Sequence, residues 1–145
     1  MRRLLAIAAA VGLSATTGNV SGGDGRALYV VIVNPDNPAV SVDRQFLADA
    51  FLKKVSTWGN GDVIRPVDLP PGSPVRQQFT DEILHRSIQE VKGYWQQRIF
   101  SGRDVPPPEL DKDEQVVDYV LHHGGAVGYV SRSAPLGGAK PLAIQ

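Results

Sequence analysis

Seven consecutive residues, Ala27 to Val33 (ALYVVIV), are apolar and rich in β-branched side chains. A run of this length, bounded by turn residues, suits a strand buried on both faces, as in a parallel sheet covered by helices. Asn34-Pro35-Asp36-Asn37-Pro38 ends it abruptly. Both faces of such a strand must be covered by other elements, so the rest of the chain is constrained to supply helices that pack on a sheet.

The sequence downstream provides them. Ser41 can cap a helix with apolar positions Val42, Phe46, Ala50, Phe51 and Val55, which is helical spacing. The turn Trp58 to Asp62 closes it, and Val63 to Leu69 (VIRPVDL) reads as a second strand. Pro66 within that strand argues for an edge or a strand end. Ser73 followed by Pro74 is a helix start, because proline at the first helical position loses an N–H that had no partner anyway. Val75, Phe79, Ile83 and Leu84 recur on one face. Ser87 and Glu90 have capping-box spacing ahead of a stripe of Ile88, Val91, Trp95 and Ile99. Phe100 to Glu109 reads as a proline-stiffened loop, and Asp111 with Glu114 opens a last helix carrying Val116, Val117, Val120 and Leu121. Gly124-Gly125 would end that helix. Ala126 to Val130 is a short strand, and Pro141 to Ile144 a further one. The order β-α-β-α-α-α-β-(β) implies an α/β fold, a sheet flanked by helices.

The beginning of the chain has a different character. Met1-Arg2-Arg3 is basic, Leu4 to Leu13 is a ten-residue apolar run, and small residues follow. This is the pattern of a secretory signal peptide. The apolar run is short of the roughly 20 residues a membrane span needs. No cysteine follows it, so a lipid anchor is not expected. Residues 1–23 are therefore expected to be a signal peptide and flexible leader, and 24–145 a single domain. The expected location is periplasmic or secreted. The roughly 120 residues of that domain can bury one core, but not two lobes around a cleft.

Composition narrows the chemistry. Fifteen basic residues balance 15 acidic ones, so the electrostatic footprint of a nucleic-acid binder is missing. The absence of cysteine excludes disulfide scaffolds, cysteine-based zinc sites and thiol catalysis. The sequence carries no nucleophile elbow, P-loop, HExxH or dinucleotide fingerprint. His122 and His123 are adjacent on a helix, where side chains project about 100° apart and chelate poorly. Asp111, Asp113 and Glu114 suit a helix N-terminus. Trp58, Tyr94 and Trp95 read as packing. No catalysis, cofactor or metal is expected.

One segment points to ligand chemistry. Gly72-Ser73-Pro74-Val75-Arg76 follows a strand and opens a helix. Free N–H groups and the dipole at such a point favour an anion, and the Ser73 hydroxyl adds a donor. A guanidinium in the first helical turn opposes the dipole by about 0.3–1 kcal/mol. A bound anion would reverse that sign, with Arg76 facing negative charge. Alternatively, Ser73 is only a cap and Arg76 faces solvent. On the first reading, Arg76→Ala abolishes binding at little cost in stability. Asn34 and Ser101 follow elements that can end on the same side of the sheet, and so join the candidates.

Four stretches also carry a resemblance. They are Ala50-Phe51-Leu52-Lys53-Lys54 with Trp58-Gly59-Asn60-Gly61, Ser73-Pro74-Val75-Arg76-Gln77-Gln78-Phe79, Phe100-Ser101-Gly102, and Gly124-Gly125-Ala126-Val127-Gly128-Tyr129-Val130. In order and spacing, Ala27 to Val130 resembles the periplasmic phosphate-binding proteins of ABC transporters, in a shortened, single-lobe version. The resemblance implies a periplasmic-binding-protein-like α/β fold and a solute-binding role toward phosphate or a similar oxyanion. It also implies an ABC-transporter membrane component as partner. Ser73 and the Val75 amide then map onto anion-binding Ser and Thr positions. The sequence departs from the pattern at Leu69, where the family usually has Arg, and at Pro74 and Val75, which remove an N–H and a hydroxyl. A single lobe could form a homodimer, or keep the fold as an envelope interaction module without small-anion binding. A small hydrolase needs a nucleophile–base pair, and none is visible.

Overall fold

The computed structural model describes residues 27–145. The expected signal peptide and leader, residues 1–23, lie outside the described residues. Strand β1 (Tyr29–Val33) occupies the apolar run, and its backbone is covered on both faces. It is flanked by β4 (Ala126–Ser131) and β5 (Lys140–Pro141), both antiparallel to it. Short β3 (Arg65–Pro66) pairs in parallel with β4, giving the sheet order β3-β4-β1-β5. The α/β class holds, but the parallel pairing expected for β1 does not. A continuous apolar run reports that both faces are buried, and this is indifferent to the direction of the neighbouring strand.

A separate two-stranded ribbon pairs β2 (Ser41–Val42) with β6 (Ala143–Ile144). This pairing removes Ser41 from the capping position expected for it. Asp43 caps helix α1 (Arg44–Phe51) instead, its carboxylate accepting from the Gln45 and Phe46 amides at 2.9 and 3.2 Å. The helix stops at Phe51, short of Val55, where Lys53 takes a left-handed φ of 55°. The strand expected over Val63 to Leu69 reduces to β3 and two isolated bridges, Val63 to Thr57 and Asp68 to Glu109.

Helix α2 (Pro74–Phe79) starts at Ser73 as expected, with Pro74 in its first turn. It runs into a π-helical turn, Thr80–Leu84, which ends at His85 in the left-handed region. Helix α3 (Ile88–Phe100) opens with the anticipated capping box. The Glu90 amide donates to Ser87 Oγ at 3.1 Å, and the Ser87 amide to Glu90 Oε1 at 3.3 Å. Helix α4 (Asp113–His122) begins where the Gln115 side chain accepts from the Asp111 and Lys112 amides.

The core lies between the sheet and these helices. Phe79 stacks on Tyr129 with ring centroids 3.9 Å apart, and Phe51 and Tyr29 meet Phe79 edge-on. Two glycines in the sequence Gly124 to Val130 are steric requirements. A side chain at Gly125 would overlap the Val63 carbonyl oxygen, and one at Gly128 would press on Val116 and Val67. Trp58 is a structural residue, as expected. It packs on Phe46, and its indole N–H donates to the Gly125 carbonyl at 2.9 Å.

Candidate functional site

The chain leaves β3 toward the Ser131 end of β4, because these two strands run in parallel. Leu69, Pro70 and Ser73 are thereby delivered to that end of the sheet. There they line an open groove of about 470 Å³ with Ser131 and the stretch Asp111 to Glu114. Ser73 Oγ accepts from the Arg76 amide at 3.3 Å, which is the work of an N-cap. The Val75 amide, second in the helix, is among the donors that the helix itself cannot satisfy. The groove is acidic: Asp111, Asp113 and Glu114 outnumber Lys112. Asp113 Oδ1 accepts from the Ser131 amide at 3.2 Å.

Arg76 does not face this groove. It is 6% exposed, and its guanidinium runs under α3 rather than into solvent. Nη1 donates to the Leu69 carbonyl at 2.9 Å and lies 3.3 Å from Glu109 Oε2. Nε lies 3.8 Å from Asp68 Oδ1, and among the described residues it has no hydrogen-bond acceptor. Asp68 is itself buried and accepts a 2.6 Å hydrogen bond from the Tyr129 hydroxyl. The Leu69 amide donates in turn to that hydroxyl. Burial pushes the Asp68 carboxyl above the usual carboxylate range, against the pull of the Arg76 guanidinium. Burial, and then the neighbouring Asp68, drives the Tyr129 phenol far above its ordinary value.

Burial of Arg76 changes one expectation. Removing its side chain would strand Asp68 as a buried charge, so Arg76→Ala cannot be cheap in stability.

The other two candidates lie elsewhere. Asn34 follows β1 at the end where Val33 pairs with Val127, whereas the Ser73 groove lies at the end where Tyr29 pairs with Ser131. The two ends are about 14 Å apart along the strand. Asn34 Nδ2 donates to the Val120 and Leu121 carbonyls, and its Oδ1 accepts from the Asp36 amide. Its polar atoms are thus used to close the end of α4 and to shape its own turn. Ser101 is the exposed C-cap of α3, its hydroxyl donating to the Gln97 and Arg98 carbonyls. Ser73 and the Val75 amide therefore stand together, with Arg76 beneath them and Asn34 and Ser101 apart. The cluster of Asp68, Glu109 and Tyr129 around Arg76 is not among the candidates read from sequence. Its one legible trace is Asp68, an acid between the apolar residues Val67 and Leu69.

Among the described residues no group of three or more His, Cys, Asp or Glu could hold a metal ion. Among them, too, no helix is long and apolar enough to cross a membrane.

Neither a family model nor a curated protein matches the sequence. Solved structures do match the fold. An ABC-type phosphate transport receptor from Vibrio cholerae superposes with a TM-score of 0.61 at 16% identity, over 80% of this chain and 45% of the receptor. A putative phosphate ABC transporter substrate-binding protein with bound phosphate, from Clostridium perfringens, gives 0.63 at 18% identity, over 80% and 44%. PstS from Borrelia burgdorferi gives 0.63 at 10% identity, over 81% and 47%. The chain has the fold of part of a phosphate receptor. It spans less than half the length of each of these proteins. The expected α/β, periplasmic-binding-protein-like architecture is therefore the observed one.

Proposed function

We propose that this chain is an extracytoplasmic binding protein related to phosphate-uptake receptors, and that it acts through recognition of a protein partner rather than by trapping free phosphate. The observation that carries the second clause is the state of Arg76. The one cation of the Ser73 segment is buried against Asp68 and Glu109, and the groove beside Ser73 is lined by three further carboxylates. A phosphate dianion there would meet three carboxylates with Lys112 alone to offset them. An ABC-transporter membrane component and a second copy of the chain are the partners that suit this fold. The extracytoplasmic assignment rests on the signal-like pattern of residues 1–23.

A second reading is favoured by a specific observation. Ser73 and the Val75 amide stand together at the start of α2, and the buried Nε–H of Arg76 lacks an acceptor among the described residues. Rearrangement of the Asp68 contact would let Arg76 support phosphate or a similar oxyanion at these donors.

One experiment separates the two. The purified protein, stripped of anions, is melted with phosphate, sulfate and chloride at matched ionic strength. A ligand at 100 times its dissociation constant stabilises by about 2.7 kcal/mol, a rise of several degrees in a domain of this size. The proposal expects the same melting temperature in all three salts. A rise specific to phosphate overturns it in favour of the oxyanion reading.

A further inference from the structure

A second cavity, of about 310 Å³, lies on the other side of the Ser73 segment, between α3 and the proline loop. Its walls are Ile88, Val91, Trp95 and Ile99 from α3, faced by Pro106 and Pro107. These α3 positions form the apolar stripe of the sequence, yet only Val91 and Trp95 are buried. Ile99 remains 51% exposed, so the face is incompletely covered. The volume is at the lower end of small-molecule sites, and an apolar cavity with a few convergent polar groups is their usual form.

The polar groups here are distinctive. Four charged residues line the cavity, two of each sign: Asp68 and Glu109 against Arg76 and Lys92. Asp68 and Arg76 are more than nine-tenths buried and already paired, and the Arg76 Nε–H is without an acceptor among the described residues. An anionic ligand would be set against Asp68 and Glu109, and a cationic one against Arg76 and Lys92. Either would lose hydration with no net opposite charge to replace it. An uncharged group that both donates and accepts hydrogen bonds meets neither penalty.

We infer that this cavity is a binding site for a small, uncharged, mainly apolar molecule that carries one donor–acceptor head such as a carboxamide. The ring or chain lies against Trp95 and the two prolines, and the head is directed to the Arg76–Asp68 pair. The site is separate from the Ser73 groove but shares the buried Arg76–Asp68 pair on which the proposed function rests; benzamide binding and the phosphate melt report on the two separately.

Three probes of one shape and different charge test it: benzamide, benzoate and benzylamine. Each is titrated into the full chain, and the indole N–H resonances of the two tryptophans are followed. Trp58 serves as the internal control, because its indole is bonded to Gly125 at the opposite end of β4. The expected result is a saturable shift of the Trp95 resonance with benzamide while Trp58 stays still. Benzoate and benzylamine should bind at least about tenfold more weakly. Ile88→Phe/Ile99→Phe, which enlarges two partly exposed walls, should weaken benzamide by a similar factor without lowering the melting temperature. The inference is overturned if benzamide leaves Trp95 unmoved at about 20 mM, a generous limit for so small a ligand. It is equally overturned if both indoles shift alike, or if either charged probe binds as well as benzamide. Unchanged benzamide affinity in the folded double variant would overturn it too. Should that variant fold poorly, the charge series in the unaltered chain decides.

Discussion

The start of α2 separates two recesses of opposite character. On one side Ser73 opens onto a wide groove edged by carboxylates, where the chain's polar atoms meet water. On the other, three residues later, Arg76 enters an apolar cavity under α3 and is paired there with Asp68. Ser73 and Arg76 stand three residues apart in the motif and are joined by a hydrogen bond from the Arg76 amide, yet their side chains belong to different environments. A motif that places a hydroxyl and a guanidinium three residues apart does not thereby aim them at one ligand. The nearest buried carboxylate decides where the guanidinium goes.

The contrast predicts unequal responses to mutation. Arg76→Ala leaves Asp68 buried without its counter-charge and should cost about 3–5 kcal/mol, read by urea denaturation. A loss under about 1 kcal/mol would place Arg76 in solvent and erase the distinction between the two sides.

A double-mutant cycle sharpens the assignment. Asp68→Asn keeps an acceptor for the Tyr129 hydroxyl while removing the charge, and Arg76→Met keeps the volume of the stem. The double variant should lose less than the sum of the singles by about 1–3 kcal/mol. Strict additivity would mean that the 3.8 Å contact carries no coupling.

On the groove side the effect should be smaller. Ser73→Ala removes one N-cap bond and should cost about 1 kcal/mol, with α2 still formed because Pro74 remains. A cost equal to that of Arg76→Ala would show that the two recesses behave as one structural unit.

The smallest effect is in the pH dependence, where Asp68 has a definite sign. Its folded-state pKa is raised, chiefly by burial. The native protein therefore binds the proton more tightly than the unfolded chain, and this contribution to stability is fully present below the unfolded value of about 3.9. It is lost as pH rises through the folded value. Asp68→Asn has no such term, so the stability of wild type relative to this variant should fall as pH increases across that window. A difference that rises with pH instead would mean that the Arg76 attraction outweighs desolvation.

Much of the scaffold is legible in the sequence alone. The Ser73–Pro74 start of α2, the Ser87–Glu90 capping box and the strands read at Ala27 to Val33 and Ala126 to Val130, observed as Tyr29–Val33 and Ala126–Ser131, all follow from local chemistry. Capping, proline placement and apolar run length act within a few residues and leave direct marks in the sequence. Where distant segments compete for the same residues, the marks mislead. Ser41 has the composition of a cap, but its backbone pairs with Ala143, about 100 residues away. The Val63 to Leu69 segment has strand composition, but Pro66 interrupts it, leaving the two-residue β3 and isolated bridges at Val63 and Asp68.

The candidate site divides in the same way. Local sequence determined that Ser73 would cap a helix and that free amides would follow it, since those donors are a property of any helix start. It also determined that α3 would carry an apolar stripe. Tertiary structure alone decided that Asp68 and Glu109 would converge on Arg76, that Asn34 would close the far end of the sheet, and that part of the α3 stripe would stay uncovered above a paired charge. The reason is physical. Backbone donors and side-chain periodicity are fixed by neighbours along the chain, but desolvation and charge pairing depend on what folds against them, and those partners lie 8 and 33 residues away.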